Sequence, residues 1–85
     1  MANVIVYSSP NCGYCVRAKA LLQEKGIDFN EFDIAKDEEA RNTMLKKSGG
    51  RTSVPQIFIN DEHVGGFDDL YALNTAGKLD AMLSN

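Results

Sequence analysis

The sequence of 85 residues suffices for one small domain, with room for a surface groove rather than a large internal cavity. Its formal charge of −3 argues against nucleic acid as the main partner, because phosphate binding ordinarily needs a basic patch. No apolar stretch approaches the roughly 20 residues of a membrane span, and the start lacks the basic and apolar segments of a signal peptide. We therefore expect one domain over residues 1–85, in the cytoplasm, bound to neither membrane nor nucleic acid.

The first half of the chain predicts alternating strands and helices. Residues 4–7 are β-branched or aromatic and predict a buried strand. A helix is predicted from about Cys12 to Lys25, because apolar residues recur there at helical spacing and Gly26 follows as a C-terminal cap. A second strand is predicted around residues 29–34.

The second half predicts two helices around a hairpin. Asp37 can cap a helix that ends at residues 48–50. Residues 56–59 and 63–64 predict an antiparallel hairpin. A last helical stretch begins near Asp68, and Gly77 is placed to kink or divide it.

These elements give the order β-α-β-α-β-β-α. The first β-α-β unit is expected to be parallel and right-handed. The fold class is therefore α/β, with a small central sheet flanked by helices.

Cys12-Gly13-Tyr14-Cys15 is the segment that carries chemistry. It follows a strand and opens a helix, which is the context of a C-x-x-C redox motif. The helix N-terminus offers unsatisfied N–H groups and partial positive charge, which stabilise a thiolate on Cys12. The spacing of three places both sulfurs on one face, so a modest distortion closes a disulfide.

The two cysteines are expected to differ in exposure. Cys12 lies at the tip of the helix, whereas Cys15 lies one turn in, on the apolar stripe with Ala18 and Leu22. Cys12 is therefore predicted as the attacking thiolate and Cys15 as the resolving thiol.

Other uses of the cysteines fit less well. A structural zinc site needs about four ligands, and the chain offers two cysteines and one distant histidine, His63. A permanent disulfide across so short a loop constrains the unfolded chain little. A purely packing role suits Cys15 alone. We expect His63 on the hairpin, at the surface or half-buried, and no bound metal.

Three motifs in order resemble the small dithiol glutaredoxins, members of the thioredoxin-fold superfamily. They are residues 12–15, the segment Ser53-Val54-Pro55 before the third strand, and residues 65–69, Gly-Gly-Phe-Asp-Asp, before the following helix. The resemblance covers nearly the whole chain. It implies a thioredoxin-like fold with a four-stranded mixed central sheet.

The resemblance also implies a glutathione site. Pro55 would be a cis-proline, and the backbone of Val54 would pair with the cysteine of glutathione as an added strand does. The N–H groups of Phe67 and Asp68 would meet the γ-glutamyl carboxylate at a helix start. The implied glutathione-binding residues are Tyr14, Ser53, Val54, Pro55, Gly66, Phe67, Asp68 and Asp69.

Within that site, two assignments stay open. Asp68 or Asp69 would meet the γ-glutamyl ammonium group. Arg17, on the first helix, would steer anionic glutathione or would be a solvated surface residue.

The sequence departs from the family pattern at three positions. Gly13 stands where proline is commoner and loosens the first helical turn. Ser9 stands where many members carry a basic residue, and Ser53 replaces the usual threonine.

The resemblance implies a glutathione-dependent enzyme that reduces protein-glutathione mixed disulfides and protein disulfides. Glutathione is its co-substrate, no cofactor is permanently bound, and the chain is expected to be a monomer. One alternative is a dimer that holds an iron-sulfur cluster through Cys12 and glutathione, which Gly13 favours. Another is an electron donor reduced by thioredoxin reductase without glutathione.

Overall fold

A computed structural model describes residues 2–84, so Met1 and Asn85 of the predicted domain lie outside the described residues. The predicted four-stranded mixed sheet is confirmed. Its strands are β1 (Val4–Ser8), β2 (Asn30–Asp33), β3 (Gln56–Ile59) and β4 (Glu62–Gly65). They lie in the order β2-β1-β3-β4, with β1 parallel to β2 and the other two pairs antiparallel.

The register of the central strands positions the motifs. Tyr7, near the end of β1, pairs with Gln56 at the start of β3. Because the two strands run in opposite directions, the segment after β1 and the segment before β3 lie at the same end of this strand pair. Residues 12–15 and 53–55 therefore meet although about 40 positions separate them.

The helices follow the predicted order with one addition. They are α1 (Gly13–Glu24), α2 (Glu38–Lys47), α3 (Phe67–Thr75) and α4 (Leu79–Leu83). The last predicted helical stretch is divided into α3 and α4. Gly77 lies between them with φ +75°, a left-handed conformation that glycine adopts without steric cost.

The sheet buries a different hydrophobic cluster on each face, because successive residues of a strand point to opposite sides. Val4, Val6, Ile57 and Ile59 pack on one face with α1, α3 and α4. The smaller cluster on the other face consists of Tyr7, Ala40, Met44 and Phe58, which joins α2 to the sheet. Both faces are thus covered by helices.

The start of α2 confirms the predicted cap. The side chain of Asp37 accepts a hydrogen bond from the Ala40 N–H at 3.0 Å. Glu38 and Glu39 occupy the first turn, where the helix dipole favours negative charge. The three acidic residues 37–39 therefore stabilise the start of α2.

β2 is an edge strand paired only with β1. Phe32 remains 38% exposed, although its ring stacks on Tyr7 at 5.6 Å between centroids. Glu31 accepts hydrogen bonds from Lys19 Nζ at 2.8 Å and Ser8 Oγ at 2.6 Å. These two donors, Lys19 first, hold the pKa of the Glu31 carboxyl below its usual value. Glu31 thus joins the edge strand to α1.

Within residues 2–84, no helix combines the length and the apolar character needed to cross a bilayer.

Candidate functional site

Cys12 lies at the point where β1 has ended and α1 begins. Its backbone is extended, with φ −101° and ψ 106°, and it is the N-cap residue of α1. Its Sγ accepts a hydrogen bond from the Cys15 N–H at 3.1 Å, as an oxygen of a capping serine would. The sulfur thus lies at the positive end of the helix dipole, which favours negative charge on a group placed there.

The same sulfur contacts the loop before β3. As a thiol, Cys12 donates from Sγ to the Val54 carbonyl oxygen at 3.7 Å. Cys12 is half-buried, and the Cys12 thiol therefore lies between the start of α1 and the backbone of Val54.

Cys15 occupies a different environment one helical turn later. It is 1% exposed and lies on the buried face of α1 with Ala18 and Leu22. Burial raises the pKa of its thiol from the ordinary 9.0 to about 12; the contact with Cys12 adds to the rise, and a backbone hydrogen bond from Ser9 opposes it. The predicted difference in exposure between the two cysteines is present, and Cys15 is a neutral thiol near pH 7.

The segment 53–55 forms the wall opposite the cysteines. The Val54–Pro55 peptide bond is cis, as the resemblance implied. Pro55 is buried, Val54 is half-buried and Ser53 is exposed. The segment therefore presents its backbone beside Cys12 while it continues into β3.

Residues 65–69 form the end of the site at the start of α3. Gly65 has φ +118°, and a Cβ built there would overlap the Asp69 carboxylate. Gly66 is the N-cap residue, and its N–H donates to Asp69 Oδ2 at 3.0 Å. A Cβ at Gly66 would lie 3.6 Å from the Pro55 carbonyl oxygen, so the start of α3 packs closely on the proline loop.

These segments enclose a groove of about 220 Å³. All eight residues that the resemblance assigned to glutathione line it, together with Arg51, which no sequence motif marks. The lining residues are Tyr14, Arg51, Ser53, Val54, Pro55, Gly66, Phe67, Asp68 and Asp69. Cys12 and Cys15 line an adjoining hollow at the start of α1.

Larger hollows lie elsewhere. One of them, of about 580 Å³, lies against β4, α3 and α4, and neither cysteine lines it. The smaller groove is the better candidate site because the Val54 backbone, which lines it, contacts the Cys12 sulfur.

The groove carries charge of both signs. The Arg51 side chain contributes positive charge to the wall of segment 53–55, and Asp68 and Asp69 contribute negative charge at the start of α3. Asp69 already accepts the Gly66 N–H, so Asp68 is the carboxylate better placed to meet a ligand cation. A groove of this kind suits a small ligand with both anionic and cationic ends.

Aromatic rings extend from the groove along α3. Tyr14 is 56% exposed and lies 6.3 Å from the Phe67 ring, which lies 5.8 Å from the Tyr71 ring. The Arg17 guanidinium lies over the Tyr14 ring, 5.6 Å from its centroid. Arg17 does not line the groove. Its side chain contacts Tyr14 instead.

His63 is half-buried on β4, as the sequence analysis expected. Its Nε2 lies 2.7 Å from Gln56 Oε1, a contact that no motif indicated. In the part of the chain that the structure describes, no three His, Cys, Asp or Glu side chains cluster closely enough to hold a metal ion.

Comparisons with known proteins agree with this geometry. A family model described as Glutaredoxin matches residues 4–64. Glutaredoxin 3 of Escherichia coli strain K12 is 54% identical over 83 residues, which cover 98% of this chain and 99% of that protein. A glutaredoxin of Pseudomonas aeruginosa is 52% identical over 84 residues, covering 99% of both.

Solved structures give the same result. The crystal structure of a buckwheat glutaredoxin-glutathione complex has a TM-score of 0.87 and 29% identity, and covers 98% of this chain and 77% of that one. The solution structure of glutaredoxin from Brucella melitensis has a TM-score of 0.83 and 55% identity, with coverage of 98% and 89%. The sheet order, the flanking helices and the cysteine pair are those of a thioredoxin-like fold, and the chain belongs to the glutaredoxin family.

Proposed function

We propose that this chain is a glutathione-dependent dithiol-disulfide oxidoreductase that reduces protein-glutathione mixed disulfides and protein disulfides. One observation carries the proposal. The Cys12 sulfur lies at the N-terminus of α1, 3.7 Å from the Val54 carbonyl oxygen, at the border of a groove with charge of both signs. A structural relative was solved as a complex with glutathione, which supports that ligand.

Glutathione is a tripeptide with an extended backbone, two carboxylates and an ammonium group. In the proposed complex, the Val54 backbone pairs with the central cysteine as an added strand does. The N–H groups of Phe67 and Asp68 receive the γ-glutamyl carboxylate at the start of α3, and the Asp68 carboxylate receives the ammonium group. Arg51 meets the glycine carboxylate beside Tyr14.

The first reaction uses Cys12 alone. Its thiolate attacks the glutathione sulfur of a protein-glutathione mixed disulfide, and the protein leaves as a thiolate that takes up a proton. Cys12 then carries glutathione as a mixed disulfide. A second glutathione thiolate attacks the bound glutathione sulfur, which releases glutathione disulfide and restores the Cys12 thiolate.

The second reaction needs Cys15. The Cys12 thiolate attacks a protein disulfide, and one protein sulfur leaves as a thiolate. Cys15 then loses its proton and attacks the Cys12 sulfur, which releases the second protein thiol and closes the Cys12–Cys15 disulfide. Two glutathiones reduce this disulfide and leave as glutathione disulfide.

The environment of Cys15 favours this order of events. Burial raises the pKa of Cys15 to about 12 and keeps it protonated near pH 7, and the contact with the Cys12 sulfur contributes to that rise. Once Cys12 is in a mixed disulfide it carries no charge, so its contribution disappears and Cys15 ionises more easily. Cys15 is thus most reactive when there is a mixed disulfide to resolve.

The test is turnover of a glutathionylated substrate with glutathione, glutathione reductase and NADPH. We expect Cys12→Ser to lose activity and Cys15→Ser to keep it, while Cys15→Ser loses the reduction of protein disulfides. Full activity of Cys12→Ser would overturn the mechanism. An inactive wild-type protein would overturn the glutathione site.

The cluster-binding alternative remains a prediction that rests on Gly13. A single chain brings one partly accessible thiol, Cys12, so a cluster requires a second chain and outside thiols. Anaerobic reconstitution with iron and sulfide tests it. A visible absorption band in a dimer supports the alternative, and a colourless monomer contradicts it.

Under the third alternative, thioredoxin reductase reduces the protein, and no glutathione has to bind in the groove. Turnover with that reductase and NADPH in the absence of glutathione would support it. The charged lining of the groove favours glutathione instead.

We further propose that the protein works in the cytoplasm. The proposed reaction needs reduced glutathione, and the glutathione pool of the cytoplasm keeps thiols reduced.

A further inference from the structure

Gln56 is a buried amide that the mechanism does not use. It is the first residue of β3, directly after Pro55, and it is 0% exposed. The next three residues of the strand, 57–59, are all apolar and buried. Because a buried amide is costly unless its hydrogen bonds are made, the partners of Gln56 are informative.

Both ends of the amide have partners. Nε2 donates to the Ser53 carbonyl oxygen at 2.9 Å and to Ser53 Oγ at 3.2 Å. Oε1 lies 2.7 Å from Nε2 of His63 on β4. The Gln56 side chain therefore connects the hairpin to the loop that precedes Pro55.

The chemistry of the partners fixes which atoms of Gln56 and His63 donate and which accept. A backbone carbonyl only accepts, so the NH₂ group of Gln56 must face Ser53. Oε1 then faces His63, and an amide oxygen also only accepts. The proton of the neutral imidazole must therefore lie on Nε2 of His63.

His63 is itself held in place. Its ring stacks on Phe58 with centroids 4.9 Å apart, and Phe58 is buried on the α2 side of the sheet. The donor to Gln56 is thus positioned by the core, and the orientation of the amide follows from it.

The consequence for the groove comes from the planarity of the peptide. The Ser53–Val54 bond is trans, and a trans peptide points its carbonyl and its N–H in opposite directions. Gln56 draws the Ser53 carbonyl toward the interior, so the Val54 N–H points away from it, and Val54 lines the groove.

We propose that Gln56, oriented by His63, is a positioning residue that sets the Ser53–Val54 peptide for glutathione. The inference rests on the proposed function, because it concerns the same groove. It assigns the geometry of the binding backbone to two side chains that lie outside the groove.

The main test compares Gln56→Met with Ile57→Val. Methionine keeps the length and burial of the side chain and removes both sets of hydrogen bonds, whereas Ile57→Val perturbs the same buried strand without touching the chain of contacts. We expect KM for the glutathionylated substrate to rise about two- to tenfold in Gln56→Met, as the loss of one oriented hydrogen bond implies. We expect kcat to stay within about twofold, and KM to be unchanged in Ile57→Val.

A second variant removes the hydrogen bond between His63 and the Gln56 amide oxygen. His63→Phe keeps the stack on Phe58 and removes the donor to Gln56, and Glu62→Gln is its matched control on the same strand. We expect a smaller rise in KM for His63→Phe, because the contacts of Gln56 with Ser53 remain. Glu62→Gln should behave as wild type.

Nuclear magnetic resonance supplies a readout that does not depend on turnover. In wild type, nitrogen shifts should show the proton of neutral His63 on Nε2. In Gln56→Met, the Val54 amide signal should move, and in Ile57→Val it should not.

The outcomes separate this inference from the proposed function. If wild type lacks glutathione-linked turnover, the proposed function fails, and the Val54 signal still decides whether Gln56 sets the peptide. If wild type is active but Gln56→Met leaves both KM and the Val54 signal unchanged, the inference is overturned. A proton on Nδ1 of neutral His63 would also overturn it.

Discussion

The two sides of the candidate site work with different atoms. The side built from the end of β1 and the start of α1 acts through side chains, the two sulfurs of Cys12 and Cys15. The opposite side, residues 53–55 and 65–69, presents main-chain groups at a cis-proline and at a helix start. Chemistry on the first side depends on which residue is present. Recognition on the second side depends on how the backbone is held, together with the charged side chains of Arg51 and Asp68.

The largest expected effect comes from a substitution on the side of the site that presents main-chain groups. Gly65→Ala places a Cβ against the Asp69 carboxylate at a φ of +118°, which L residues rarely adopt. We expect the free energy of unfolding to fall by about 2–4 kcal/mol, from backbone strain and the displaced cap of α3. Urea denaturation measures it, and turnover with glutathione should fall as well.

Gly13→Ala is the matched control for that change. Nothing lies within 4 Å of a Cβ at Gly13, and its φ is not left-handed. We expect it to leave the free energy of unfolding equal or higher by up to about 1 kcal/mol. If Gly65→Ala unfolds at the same urea concentration as wild type, the close packing of the α3 start is wrong.

The next effect concerns the cysteine side of the site and is the pH dependence of the free energy of unfolding. The pKa of Cys15 is raised in the folded protein, from 9.0 to about 12, so the unfolded chain loses this proton first. The stabilisation is complete below pH 9 and is lost as the pH rises toward 12, with a slope of up to about 1.4 kcal/mol per pH unit.

Cys15→Ala removes this pH-dependent contribution to the free energy of unfolding. Under reducing conditions, its free energy of unfolding should fall less steeply than that of wild type between pH 9 and 12. Equal slopes in the two proteins would show that Cys15 ionises alike in the folded and unfolded chains.

A third comparison separates the two aspartates at the start of α3. Asp69→Ala removes the acceptor of the Gly66 N–H and should lower the free energy of unfolding by about 1 kcal/mol. Asp68→Ala should lower it by only about 0.3 kcal/mol and raise KM for the glutathionylated substrate about tenfold. The reverse pattern, with Asp69 controlling KM, would exchange their roles.

The smallest effect concerns Gly13. Position 13 is the first residue of α1, where the N–H has no partner inside the helix, and Cys12 before it is extended. Gly13→Pro should therefore fold and raise the free energy of unfolding by about 0.4–1 kcal/mol. Thermal unfolding measures it; a lower melting temperature would show that the first turn needs glycine.

Local signals predicted much of this fold. The third strand has the predicted bounds, Gln56–Ile59, because a continuous apolar run follows Pro55. Asp37 caps α2 because its side chain reaches a backbone N–H three residues later. The cysteine pair is recognisable because the residue types and their position at the start of a predicted helix can both be identified from the sequence.

The features that the sequence did not predict depend on distant contacts. Arg51 joins the groove because its loop folds against the start of α3, and no motif marks it. Gln56 and His63 meet because the hairpin places β4 beside β3, although neither residue type indicates a partner. The sequence alone does not decide between a kink and a break at Gly77, because a glycine inside a helical pattern is compatible with both.

The composition of β2 has a consequence for the protein at high concentration. An edge strand offers unpaired backbone groups to which a strand of another molecule can add. Here the edge carries two carboxylates, Glu31 and Asp33, on a four-residue strand. Lys19 already pairs with Glu31, so Asp33 is the carboxylate that sets like charges against each other when two such edges meet. This charge and the shortness of the strand disfavour edge-to-edge aggregation, and Asp33→Asn would weaken that protection.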